Sequence, residues 1–181
     1  MSKLPAKSTT AASAPAEAAS ERRQFLTFQV DGELFGVSIL RVKEIIEFGN
    51  LTPVPMTPPY VRGVINLRGA VVPVLDLAVR FGRPPLNVGR RTCIIILEVP
   101  SDEGELVLGT VVDAVNEVLE IPSHLIEPAP SFGARIRPDF IAGMGKTDKG
   151  FVVLLEVGRV LSIDELALVG SLASEEDEGV A

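Results

Sequence analysis

The sequence predicts a mainly β protein built from two small antiparallel barrels. Apolar side chains make up 46% of the 181 residues and aromatic ones only 5%, so the core must be aliphatic. Val, Ile and Leu occur in short runs, which are typical of strands. One strand-rich pattern occurs twice along the chain, and no long crossover helix separates its strands. About five short strands in each copy therefore favour two antiparallel barrels in pseudo-repeat, followed by a C-terminal helix.

The two copies align with one inserted residue. Gly36 aligns with Gly109, and Glu44 aligns with Glu117. Chance similarity between aliphatic strands is the alternative, but the order and spacing of the matches favour a repeat. The copies correspond to residues 23–89 and 90–158. The matched segments are GELFGVSILRVKEIIEF (32–48) with GELVLGTVVDAVNEVLEI (104–121), YVRGVI (60–65) with FIAGMG (140–145), and VVPVLDL (71–77) with FVVLLEV (151–157).

The first copy reads as two hairpins with an ambiguous segment between them. Residues 24–30 alternate and end at Asp31-Gly32, a turn signal that leads into a second strand over 33–39. Residues 41–48 suit either a helix, from their apolar spacing, or a short strand, from their β-branched side chains. The runs VINL and AVVPVLDL flank Arg68-Gly69 as the second hairpin. Pro73 cannot donate to a ladder, so its strand is expected to be an edge or to break there.

The second copy repeats this scheme and ends in a helix. Residues 92–99 are expected to pair with 105–112, and residues 143–150 form the turn between two later strands. Ser162 and Glu165 have the spacing of a capping box and predict a helix within 159–173. The tails, 1–22 and 174–181, lack bulky apolar side chains and are expected to be disordered.

Composition excludes several classes of function. A formal charge of −7 argues against a general nucleic-acid binder. No apolar run approaches the length of a membrane helix, and the N-terminus lacks the apolar stretch of a signal peptide, so a cytoplasmic protein without direct membrane insertion is expected. The single cysteine, Cys93, cannot form an intramolecular disulfide and is expected to be a buried, inert thiol in a reducing compartment.

Signals for catalysis, metal binding or cofactor binding are weak. His124 is the only histidine and has no plausible partner for a metal site. The glycines of 143–150 lack the spacing of a phosphate-binding loop, and no nucleophile elbow is present. The sequence therefore predicts a protein that is not an enzyme and has no cofactor. Two functions remain: recognition of a partner protein at the groove between the barrels, or binding of a small ligand in that groove.

Two arginines stand inside the most strand-like segment. In the second copy Ala142 replaces Arg62, and Lys146-Thr147-Asp148-Lys149 replaces Asn66-Leu67-Arg68-Gly69. The fold therefore requires neither an arginine at this turn nor a cation at the position of Arg62, and we expect the strands to display both arginines. An exposed arginine without any partner is the alternative. Of the two, Arg68 at the hairpin tip is the better candidate for partner contact.

Three segments resemble the CheW family of chemotaxis coupling proteins. They are QFLTFQVDGELFGVSILRVKEII, YVRGVINLRGAVVPVLDL and LVLGTVVDAVNEVL, and the resemblance covers residues 23–172. It implies two five-stranded SH3-like barrels without catalytic activity. It also implies an adaptor between the cytoplasmic helical tip of methyl-accepting chemotaxis receptors and the regulatory domain of the histidine kinase CheA. Head-to-tail contacts of such domains are expected to close into rings.

The resemblance also implies which residues bind partners. The NLRG segment carries an arginine associated with receptor and kinase coupling, LRVKEII carries positions at a receptor-facing groove, and glycines shape the strand ends. The loop VPSDEGEL is longer and more acidic than in many members of that family. The implied receptor- or kinase-binding residues are Arg68, Arg62, Glu44, Val42, Gly63 and Gly69.

Overall fold

The computed structural model describes residues 22–101, 104–129 and 136–160, and these ranges are mostly β-strand. Two short helices, α1 (Leu77–Arg80) and α2 (Val157–Val160), also form within them. No helix in the described ranges is long and apolar enough to cross a membrane. The strands are β1 (Arg22–Val30), β2 (Glu33–Ser38), β3 (Val42–Glu47), β4 (Val61–Leu67), β5 (Ala70–Asp76), β6 (Cys93–Ser101), β7 (Gly104–Val112), β8 (Ala114–Pro122), β9 (Ile126–Glu127), β10 (Ile141–Thr147) and β11 (Gly150–Leu155).

The strands form two sheets, and each sheet takes strands from both sequence copies. Sheet A has the order β8-β1-β2-β11-β10-β9, and sheet B has the order β3-β6-β7-β5-β4. The first copy places its opening hairpin, β1 and β2, in sheet A with the later strands of the second copy. The second copy places β6 and β7 in sheet B in the same way. The mainly β prediction is confirmed, but the copies have exchanged their first hairpins, so the sheets do not follow residues 23–89 and 90–158.

The exchange brings the matched glycines to equivalent places. Each sheet contains one parallel pair, with Leu154 opposite Gly36 in sheet A and Val74 opposite Gly109 in sheet B. A Cβ atom on Gly109 would lie 2.7 Å from Cγ2 of Ile94, and one on Gly36 would lie 3.1 Å from Cδ2 of Leu154. The glycines therefore recur because side chains press against the strand where the two copies pair.

We expect Gly109→Ala to lower the free energy of unfolding by about 1–3 kcal/mol, because the new methyl group overpacks the core against buried Ile94. Gly158→Ala is the matched control, since nothing lies within 4 Å of a Cβ atom there. The control should change stability by less than about 0.5 kcal/mol. Urea unfolding midpoints measure both effects, and equal midpoints for the two variants would contradict this account.

The two predicted hairpins of the first copy are present, and both have two-residue turns with positive φ angles. Asp31 and Gly32 have φ of 52° and 82°, and Arg68 and Gly69 have φ of 51° and 89°. Two successive positive φ angles match the right-handed twist of the flanking strands. Asn66 stabilises the second turn, because its Oδ1 accepts a hydrogen bond of 3.0 Å from the Gly69 amide. Arg68 therefore holds a left-handed conformation that glycine or asparagine would adopt more easily.

Other local predictions have mixed outcomes. The ambiguous residues 41–48 form strand β3, and residues 92–99 pair with 105–112 as expected. Strand β5 continues through Pro73 inside sheet B. Its pairing with β7 begins only at Val74, so this ladder needs no backbone N–H group from the proline. Cys93 is half-buried, so the prediction of a buried thiol is wrong. Most of the predicted helix 159–173, and nearly all of both tails, lie outside the described residues.

One apolar core joins the two sheets. A chain of phenylalanine rings crosses it, with centroids 6.2 Å apart between Phe28 and Phe35 and 5.2 Å apart between Phe35 and Phe81. Phe81 follows helix α1 and continues to Phe140, before β10, at 6.3 Å. Aromatic pairs at these separations are favourable. Because the rings come from both sequence copies, the two halves are packed as one unit.

Candidate functional site

The outer strands of sheet B, β3 and β4, meet through their side chains. Arg68, in the turn after β4, reaches Glu44 in the middle of β3. Arg62, near the start of β4, lies over the ring of Phe48 directly after β3, at 5.7 Å from the centroid. We call the line marked by Glu44, Phe48, Arg62 and Arg68 the seam. The seam brings together three of the predicted binding residues and joins the two edge strands of the sheet through side-chain contacts.

At the exposed end of the seam, Arg68 and Glu44 form a two-pronged ion pair. Nη1 and Nη2 of Arg68 donate to the two carboxylate oxygens of Glu44, the second at 2.9 Å. The Arg68 side chain is 70% exposed and that of Glu44 23% exposed. The hydrogen bond from Arg68 lowers the pKa of the Glu44 carboxyl group, and the same bond raises the pKa of Arg68. The prediction that the hairpin displays Arg68 is confirmed.

Acidification is expected to release Arg68 from Glu44. Because the folded-state pKa of Glu44 is lowered, the pair is fully formed above the ordinary glutamate pKa and is lost as the pH falls through the lowered value. A ¹³C NMR titration of the Glu44 carboxyl group measures this pKa. It should rise in Arg68→Ala, and an unchanged titration in that variant would contradict the pairing.

Arg62 points inward, and the prediction that it is displayed is wrong. Its Nη1 donates to Oδ2 of Asp76 at 2.9 Å and to the carbonyl oxygen of Leu86 at 3.3 Å. The side chain is only 23% exposed, and that of Asp76 is fully buried. Pairing shifts between Val61 and Gly63, so Arg62 is the extra residue of a β-bulge. Bulges re-aim side chains, which explains why strand alternation did not reveal this direction.

Asp76 organises the chain around Arg62. Besides Arg62, its carboxylate accepts hydrogen bonds from the amides of Ala78 and Val79 at the start of α1, at 2.9 and 3.4 Å. It also accepts one from the Leu86 amide at 3.1 Å. One buried carboxylate therefore connects β4, the start of α1 and the loop that leads to β6.

The remaining predicted residues have backbone roles or border the seam. Val42 is half-buried at the start of β3, opposite Leu97. Gly63 has φ of 151°, and a Cβ atom there would lie 2.6 Å from the carbonyl oxygen of Thr52. Gly69 completes the Arg68 turn and faces open space. The two glycines therefore shape the strand and its turn, while Val42 lies on the strand that carries Glu44.

The second sheet carries a related ion pair. Lys149, in the turn between β10 and β11, lies 3.6 Å from Oε2 of Glu117 in β8. Glu117 is the residue that aligns with Glu44, and β8 is an outer strand of sheet A. As the sequence indicates, the second copy has lysines rather than an arginine at this turn. In the first copy an arginine donates two hydrogen bonds to the glutamate, whereas in the second copy a lysine makes a single contact with it.

Apolar side chains near the seam escaped the sequence analysis. Leu40, in the turn before β3, is 86% exposed, and Ile45, next to Glu44 in β3, is 42% exposed. Met56, in the loop between β3 and β4, is fully exposed and has a φ of 62°. The alternating pattern of β3 could have indicated Ile45, but the exposure of Leu40 and Met56 depends on tertiary packing. Exposed apolar side chains beside an arginine are typical of protein interfaces.

The described chain offers little for small-molecule or metal chemistry. Among its residues, no group of three or more His, Cys, Asp or Glu side chains could hold a metal ion. An apolar cavity lies between the sheets, lined by residues such as Phe28, Leu75 and Leu108. Its volume open to the centre of a water molecule is about 20 Å³, enough for roughly one water. This cavity is too small for a metabolite.

Comparisons with known proteins agree with this architecture. The family of CheW-like domains matches residues 24–165. The chemotaxis protein CheW of Klebsiella aerogenes is 34% identical over 151 residues, which are 83% of this chain and 89% of that protein. A probable chemotaxis protein CheW of Rhizobium etli is 35% identical over 79% of this chain and 90% of its own length. The crystal structure of the scaffolding protein TtCheW from Thermoanaerobacter tengcongensis superposes with a TM-score of 0.72, at 32% identity, covering 80% of this chain and 90% of that one.

Proposed function

Because this chain belongs to the family of CheW-like domains, we propose that it couples methyl-accepting chemotaxis receptors to the histidine kinase CheA. The family consists of noncatalytic scaffold and adaptor proteins of chemotaxis. We propose two partners, the cytoplasmic helical tip of the receptors and the regulatory domain of the kinase. The protein would act in the cytoplasm, associated with membrane receptor arrays through these partners.

The observation that carries the proposal is the display of Arg68. Its backbone is left-handed, a conformation that a side chain such as arginine adopts at some energetic cost. Its guanidinium is largely exposed, and among the described residues its polar partner is Glu44. An exposed ion pair of this kind adds little to folding stability. A contact with a partner accounts for the placement better than a role in the fold does.

The surroundings of Arg68 suit a helical partner. Leu40, in the turn before β3, exposes apolar surface, whereas Ile45 is exposed on the opposite face of β3 from Glu44. An amphipathic helix of a receptor tip can place apolar side chains against Leu40 and offer a carboxylate or a backbone carbonyl to Arg68. Small, transient interfaces are weak individually, so ring assembly of CheW-like domains would add multivalency.

Reconstitution tests the coupling directly. The full chain is mixed with vesicles that carry a methyl-accepting receptor and with the kinase, and autophosphorylation of the kinase is measured. The proposal expects the receptor to stimulate the kinase only when the chain is present. Equal kinase activity with and without the chain would overturn the coupling function.

A further inference from the structure

We propose that Arg62 is a positioning residue, which sets the seam so that Arg68 and Glu44 face the partner, and that it does not contact the partner itself. The part of this inference that concerns a partner rests on the proposed function. The part that concerns the seam depends only on contacts within the described chain.

Arg62 joins both sides of the seam. From β4, its guanidinium lies over the ring of Phe48, directly after β3, and donates to Asp76 at the end of β5. The Phe48 amide in turn donates to the carbonyl oxygen of Thr92, at 3.4 Å, so the backbone of Phe48 is held beside the start of β6. Arg62 therefore connects the end of β3 to the start of β4, while Arg68 connects the middle of β3 to the end of β4.

The carboxylate of Asp76 holds the guanidinium of Arg62 in place. This carboxylate is fully buried and accepts hydrogen bonds from the Ala78, Val79 and Leu86 amides as well as from Arg62. A carboxylate held in this way cannot follow a moving arginine. The guanidinium consequently has one well-defined position, and Phe48 packs against it there.

The second copy lacks the buried arginine–aspartate contact, so its corresponding ion pair can be compared with that of the seam. Ala142 stands at the equivalent bulge of β10, and Glu156, which aligns with Asp76, is exposed. The ion pair at the corresponding turn, between Lys149 and Glu117, is a single contact of 3.6 Å between exposed side chains. The well-formed two-pronged pair occurs in the copy that has the buried Arg62–Asp76 contact.

The ionisation of Glu44 provides a readout that needs no partner. Arg68 and Lys43 are the cations that act on its carboxyl group, and Arg68 has the larger effect. Arg62→Met in the full chain keeps an unbranched stem beside Phe48 but removes the contact with Asp76. If Arg62 sets the seam, the Glu44 pKa measured by ¹³C NMR should rise in this variant, because the Arg68 pair loosens. Arg137→Met is the control, since Arg137 pairs with Asp139 before β10 and the Glu44 pKa should stay unchanged.

Binding to the kinase regulatory domain and to a receptor tip peptide completes the test. Arg62→Met should weaken the binding that depends on Arg68 by roughly 2- to 10-fold, and it should add nothing in an Arg68→Ala background. Arg62→Lys, which keeps the charge near Asp76, should give a smaller effect and serves if the methionine variant does not fold.

The outcomes separate this inference from the proposed function. An unchanged Glu44 pKa in a folded Arg62 variant would overturn the positioning role. Losses of affinity that add independently to those of Arg68→Ala would mean that Arg62 touches the partner, which also overturns it. If the pKa rises while Arg68→Ala leaves both binding reactions unchanged, the positioning role stands and the proposed contact at Arg68 fails.

Discussion

Replacement of Asp76 by alanine is expected to lower the free energy of unfolding by about 3–5 kcal/mol, the range found when one member of a buried ion pair is removed. The substitution leaves Arg62 without its carboxylate in a site that is only 23% exposed. It also strips the Leu86 amide and the start of α1 of their acceptor. Unpaired buried donors and a lost helix cap each cost about 1 kcal/mol or more.

Glu156→Ala is the matched control for Asp76. Asp76 is the last residue of β5, and Glu156 directly follows β11. Their amides donate to equivalent carbonyl oxygens, that of Tyr60 for Asp76 and that of Phe140 for Glu156. Glu156 is exposed, so its replacement should stay within about 0.5 kcal/mol. Urea unfolding followed by circular dichroism gives both midpoints. Similar shifts for the two variants would mean that Asp76 is not the organising carboxylate of the first copy.

The hairpins and the repeat could be predicted because their signals are local. Asp31-Gly32 dictates a tight turn wherever it stands between alternating runs, and Gly36 and Gly109 mark equivalent positions whatever the pairing of distant strands. The exchange of hairpins between sheets could not be predicted in the same way. A hairpin buries the same apolar face whether it joins its own copy or the other, so the choice depends on the whole core.

The direction of Arg62 shows a second limit. A period of two along β4 gives each residue a face, but the bulge between Val61 and Gly63 breaks that period at Arg62. The partner of Arg62, Asp76, is separated from it by a turn and a strand, and its acidity alone does not reveal burial. In contrast, Arg68 lies in a turn whose Asn66 and Gly69 indicate exposure directly. The exposure of Arg68 could therefore be predicted from its turn, whereas the inward direction of Arg62 could not be predicted from its strand.

Arg68→Ala is expected to reduce receptor-dependent activation of the kinase by about tenfold or more, as for arginines at the centre of interfaces. The loss should occur without a change in the urea midpoint, because the guanidinium is mostly exposed and stabilises little of the fold. Arg68→Lys should recover only part of the activity. A lysine keeps the charge but cannot make two parallel hydrogen bonds to one carboxylate.

Lys149→Ala is the control that the repeat itself supplies for Arg68. Lys149 lies in the corresponding turn of the other sheet and contacts the corresponding glutamate, so its replacement removes a similar charge from a similar place. Receptor-dependent activation of the kinase should stay close to that of the unmodified chain if the partner binds at the seam of sheet B. Equal losses in the two variants would indicate a general effect of surface charge. A lower urea midpoint in Arg68→Ala alone would instead make the arginine a structural residue, since the loss of coupling would then follow from a weakened fold.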